Sequence, residues 1–173
     1  MAALGIAVPL QGSASAQAPS DDSANSADRR FVSEAIAGGN QEILQARSEL
    51  KSTSNASVRL FAQTMIRDHT AANAQIAAVA RRLGVAVLNW PLLQMALPGA
   101  MPAASYMRNE VADHQKTIAL FKAEESSGSH QLAATAGQIL PVLDSHLAMA
   151  QQFVGTGSIT PRATPAPPAG PGK

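Results

Sequence analysis

The chain has 173 residues, 46% of them apolar and only 3% aromatic, with a formal net charge of +1 from 13 basic and 12 acidic residues. So even a balance offers no basic field to hold a phosphate backbone, which argues against nucleic acid as a partner. The absence of cysteine excludes disulfides, thiolate metal sites and thiol catalysis.

With so few aromatics, any core must be built from Ala, Leu, Ile, Val and Met. Ala is the best helix former and a poor strand former, so this composition favours closely packed helices over sheets. Residues 1–16 read as an export signal: the apolar run Ala2 to Leu10, then Gln11-Gly12-Ser13, then Ala14-Ser15-Ala16 ahead of Gln17, a small-x-small cleavage pattern. No Lys or Arg precedes that run, so either the true start lies upstream or the run is an ordinary flexible N-terminus. A periplasmic or secreted location follows from the export reading. No stretch approaches the ~20 uninterrupted apolar residues needed to span a bilayer.

Residues 17–26 form a Pro/Ser/Asp-rich linker, and the patterned domain covers 27–153. The first helix is expected from about Ala27 to Lys51, with Ser26 as its N-cap. Its apolar line is Phe31, Ala35, Gly39, Ala46 and Leu50, and Glu42 falls on that line. Gly38-Gly39 in mid-helix points to a close helix–helix approach or a local bend. Asn55 caps a second helix from about Ala56 to Leu83, whose stripe of Val58, Phe61, Met65, Ala72, Ile76 and Val79 is completed by His69. Gly84 suits the C-terminal stop. The segment from Val85 to Pro102 carries Pro91, Pro98 and Pro102 and reads as a long crossover, with a short helix near Leu92 to Ala96.

A third helix is expected from about Ala103 to Ser126, its stripe being Met107, Val111, His114, Ile118 and Phe121. After the Ser127-Gly128-Ser129 turn, a fourth runs from about His130 to Phe153 along Leu132, Ala136, Ile139, Leu143, His146 and Ala150. Pro141 removes one of its backbone hydrogen bonds and should kink it. Residues 154–173 are Pro/Ala/Gly-rich without periodicity, so a disordered tail is expected. The fold expected is therefore all-α: an antiparallel four-helix bundle with a long crossover between the second and third helices.

Glu42, His69, His114 and His146 all lie on apolar stripes, and the first three fall close to the middle of their helices. Three imidazoles and a carboxylate converging in a dry core suit one divalent transition metal: Zn, Fe, Mn or Cu. Asp68, Asp113 and Asp144, one or two residues from the histidines, point off the stripe and suit hydrogen bonds to neighbouring imidazoles. The competing reading is a set of neutral, hydrogen-bonded packing residues that fix register. His130, at a helix start, is expected in solvent. A di-iron carboxylate site needs Glu-x-x-His on two helices, whereas Ile66, Val111 and Leu143 stand three residues before the core histidines.

Several runs resemble a known family: Phe31-Val32 with Ala35, Gly38-Gly39 and Glu42; Asn55-Ala56-Ser57-Val58, Phe61-Ala62-Gln63 and Met65-Ile66-Arg67-Asp68-His69; Asp113-His114-Gln115-Lys116, Leu120-Phe121, Leu140-Pro141 and His146-Leu147-Ala148. The family is an exported bacterial one known as a domain of unknown function with a ferritin-like fold. The resemblance spans about Asp28 to Phe153. It implies an exported ferritin-like bundle in a bacterial envelope and supplies no reaction. The family's Gly-x-x-Phe-Asp-x-x-Tyr run is here Gly99 to Tyr106 without the Phe and Asp. The functional expectation is an exported bundle holding one metal ion, leaning away from catalysis. The alternatives are a metal-free structural or stress-related envelope protein and, last, a metal-dependent oxidoreductase. The sequence names no protein partner and leaves homo-oligomerisation open.

Overall fold

A computed structural model of the chain describes residues 24–87 and 95–160. Four helices account for most of them: α1 Ser26–Ser52, α2 Ala56–Arg82, α3 Ala103–Ser127 and α4 His130–Thr156. No strand occurs among the described residues, and no helix there is long and apolar enough to cross a membrane. The export run, Trp90 with its neighbours in the crossover, and the end of the tail lie outside the described residues. So does most of the expected short helix near Leu92 to Ala96.

The starts of α1 and α2 follow local hydrogen-bond chemistry, whereas Pro102 and Ser129 precede α3 and α4 without a side-chain cap. The first N-cap is Asn25, one residue before the Ser26 that was expected. Its side chain accepts from the N–H groups of Ala27 and Asp28, while Asp28 accepts from the Asn25 N–H at 2.6 Å. This reciprocal box satisfies more free donors than Ser26 could. Asn55 caps α2 as expected, accepting from Ser57 and Val58. Gly84 takes a positive φ after α2. At the other end of the bundle α4 passes through Pro141 and continues beyond Phe153 to Thr156, where Gly157 ends it in the left-handed conformation. Ile159 then folds back into the core, with its N–H on the Ser57 hydroxyl. The order therefore persists beyond the expected start of the tail.

α1 packs most extensively on α2, and α3 on α4; contacts of α2 with α4 and of α1 with α3 complete the bundle. Around the bundle the helices thus follow the order α1, α2, α4, α3. Arg59 bonds the Leu50 carbonyl near the α1–α2 turn, and Asn73 bonds Asn40 and the Ile36 carbonyl farther along. A Cβ at Gly39 would overlap the Asn73 amide, whereas one at Gly38 would meet open space. The close approach expected of this pair therefore belongs to Gly39 alone.

The core divides into two apolar halves. One contains Phe31, Ile36, Ile76, Ile118, Phe121, Leu132 and Leu143. The other contains Ala46, Phe61, Met65, Tyr106, Met107, Ala150 and Phe153. Along every helix the stripe polar residue falls between these halves: Glu42, His69, His114 and His146.

Candidate metal centre

His69, His114 and His146 converge. Their ring centroids are 5.7, 5.4 and 5.3 Å apart, a nearly equilateral triangle, and each ring is at most 6% exposed. One ligand nitrogen from each lies within 4.8 Å of the other two. His69 stands at the midpoint of α2. The extra turn at the end of α4 moves that helix's midpoint to Leu143, so His146 is only three residues past centre. That offset is about 4.5 Å along the axis, less than the shorter expected helix implied.

Hydrogen bonds define which nitrogens carry protons. His114 Nδ1 lies 2.9 Å from the Glu110 carbonyl, which can only accept, so Nδ1 carries the hydrogen. His146 Nε2 donates to Asp68 Oδ2 at 3.0 Å. The nitrogens left over, His114 Nε2 and His146 Nδ1, face one another at 3.3 Å. On neutral rings both bear lone pairs, so no hydrogen bond joins them. His69 Nε2 is buried and has no partner among the described residues. Burial holds all three imidazoles below their usual pKa, most strongly His69, which disfavours the cationic ring that could bridge the gap.

Asp68 is the one expected supporting carboxylate that reaches the cluster, and it serves His146 rather than its neighbour His69. Adjacent helical residues diverge by about 100°, so His69 points inward while Asp68 points at α4. Burial pushes the Asp68 carboxyl up, but hydrogen bonds from His146 and Arg67 outweigh it and hold it below the usual range. Arg67 grips both its oxygens, Nε at 2.6 Å and Nη2 at 2.9 Å. Asp113 and Asp144 do not reach the histidines: Asp113 pairs with Lys116 in solvent, and Asp144 is exposed. His130 is exposed, as expected.

Glu42 does not join the imidazole trio. It groups with Glu110 and His114, again with ligand atoms within 4.8 Å of one another. Burial raises the pKa of the Glu42 carboxyl well above normal and pushes Glu110 up to about 7. Tyr106, one turn before Glu110, is fully buried; burial and the nearby Glu110 carboxyl raise its pKa. Glu110 was legible only in part: it lies four residues before His114, hence on the same face, but off the stripe. A cavity of about 30 Å³, bordered by Glu42, His69, Gly38, Gly39, Asn73 and Thr117 among others, adjoins the site. It has room for about one water.

Chemically, the arrangement offers three neutral nitrogen donors, one firmly oriented by Asp68, beside a carboxyl pair and a water-sized opening. Two nitrogens on one tetrahedral ion, with bonds of about 2.0–2.1 Å, stand about 3.3 Å apart. That is the separation of the two facing lone pairs.

No curated protein matches the chain. The crystal structure of a DUF305 fragment from Deinococcus radiodurans has a similar fold, with a TM-score of 0.64 at 17% identity over 77% of this chain and 98% of that one. At such identity the likeness is one of fold alone. Residues 13–153 match the profile of a family described as Domain of unknown function (DUF4142). With most of its length matched, the chain belongs to the DUF4142 family.

Proposed function

We propose that this protein binds a transition-metal ion through His69, His114 and His146 in the core of an antiparallel, ferritin-like bundle exported to the periplasm or beyond. The observation that carries the metal reading is the pair of facing lone pairs on His114 Nε2 and His146 Nδ1 beside the unpartnered His69 Nε2. Two buried lone pairs facing one another and a third buried nitrogen without a partner are costly, and a cation bound with His69 Nε2 as its unprotonated nitrogen satisfies all three. The donor set fits Zn, Cu, Fe or Mn, with water from the adjoining cavity filling a further position. Asp68, through its bond to His146, fixes that ring's tautomer and raises its basicity. Export is supported by the apolar run and the Ala14-Ser15-Ala16 pattern, and the antiparallel arrangement by the Leu50–Arg59 and Asn40–Asn73 pairs. The role is holding metal rather than catalysing a reaction.

Metal analysis of untagged protein, with titration of Zn²⁺ and Cu²⁺, tests the proposal. Tight binding of at least one equivalent is expected, and His69→Ala should lose one equivalent while keeping its helical circular dichroism. A wild-type protein that binds no metal would leave only the metal-free structural reading, with the histidines as packing residues.

A further inference from the structure

Beside the imidazole trio lies a second knot of polar groups. Glu42 on α1 meets Glu110 on α3, and a His114 ligand atom lies within 4.8 Å of both. Two carboxyl groups sit together where burial penalises charge, and the other charged groups acting on them most strongly among the described residues are Asp113, Glu49 and His114. One shared proton can join Glu42 to Glu110, but it leaves the second Glu110 oxygen and the Tyr106 hydroxyl poorly satisfied. Glu110 Oε2 and the Tyr106 hydroxyl lie side by side, on residues 3% and 0% exposed, and act on one another, yet neither makes a well-formed hydrogen bond among the described residues. Buried polar atoms in pairs of this kind call for a missing group.

The charge count identifies the class of group. Two carboxylates neutralise one divalent cation, and oxygen donors suit Mn, Fe or Zn better than a soft ion. The neighbouring cavity, which Glu42 borders, supplies room for a coordinating water. His114 stands between the two knots. Its Nε2 faces His146, while Nδ1 lies 2.9 Å from the Glu110 carbonyl and 3.4 Å from Glu110 Oε2. It can thus ligate on one side and steady Glu110 on the other.

We infer that Glu42 and Glu110 hold a second divalent cation, with the Tyr106 hydroxyl beside it and His114 linking it to the imidazole trio. This deepens the metal-binding reading and rests on it for the first ion. The core then takes two ions per chain: one held by nitrogen, one held mainly by oxygen.

Full-length untagged protein, saturated separately with Zn²⁺ and Mn²⁺, should carry two ions per chain after removal of excess metal. Glu42→Gln/Glu110→Gln should retain one, at the histidines. His69→Ala/His146→Ala should retain the other, at the carboxylates. Anomalous diffraction from wild-type crystals grown with each metal requires no variant and should give a second peak against Glu42 and Glu110. A single ion at the trio, with no such peak and no response to Glu110→Gln, overturns the second position and leaves the first intact. Zero ions in the wild type overturns both.

Discussion

Single residues set how this bundle responds to pH. Glu124, at the end of α3, is nearly buried, and its Oε1 has no partner among the described residues. Burial first, then the adjoining Asp28 carboxyl, push its pKa up to about 7. Both Asp28 oxygens already accept backbone N–H groups, from Asn25 and Ser129. Glu124 therefore keeps its proton to a higher pH than an ordinary carboxyl. An acid whose folded pKa is raised binds its proton more tightly folded than unfolded. Its contribution is complete below the ordinary carboxyl value and is lost as pH rises through about 7. Glu110 acts in the same direction. The histidines act oppositely, because their depressed folded pKa values make stability fall as pH drops below their usual value. Glu124→Gln isolates the first effect. Thermal melts should show the variant close to wild type at pH 5 and more stable at pH 8; a constant difference across that range would refute the assignment.

At the scale of the helix, neighbouring glycines separate two uses of a missing Cβ. Gly38 and Gly39 both lower helix propensity, by about 0.5–1 kcal/mol each relative to Ala. Only Gly39 gains something in exchange: it lets Asn73 approach α1 and bond Asn40 at 2.9 Å. Gly38→Ala should therefore stabilise by about 0.5–1 kcal/mol in urea unfolding. Gly39→Ala should instead lose about 1 kcal/mol or more, since it displaces that interhelix bond. Equal gains for both would mean that α1 and α2 do not approach as closely as the structure has them. The helix stripes were legible throughout because burial repeats every 3.6 residues whatever the neighbours are. Helix ends were legible to within a few residues. The exceptions have local causes: the Asn25–Asp28 box displaced the Ser26 cap, and the docking of Ile159 carried order past Phe153.

At the scale of the whole molecule, the polar layer lies between two apolar halves and costs the fold unless it is satisfied. Metal binding to the folded state alone adds about 2.7 kcal/mol at a hundredfold excess over Kd. For a domain of this size that corresponds to roughly 10 °C in Tm. Differential scanning calorimetry with Zn²⁺ and then with excess chelator should show that rise and its reversal in the wild type. The rise should be much reduced in His69→Ala/His146→Ala. An identical shift in both proteins would show that the imidazole trio contributes nothing to it.

The sequence by itself determined the four helices, the faces they bury and the inward position of the three histidines, because those follow from a local period and local caps. Only the tertiary structure decided the cyclic order of helices, the pairing of Asp68 with His146 across 78 positions, and the grouping of Glu42 with Glu110. A helical period tells which way a side chain faces. Which group it meets depends on how far each rod is rotated and slid against its neighbours, and that is fixed by packing among residues far apart in the chain. Asp113 and Asp144 make the point from the other side: sequence proximity to a histidine placed them in water, while Glu110, a full turn away, came into contact with the His114 ring.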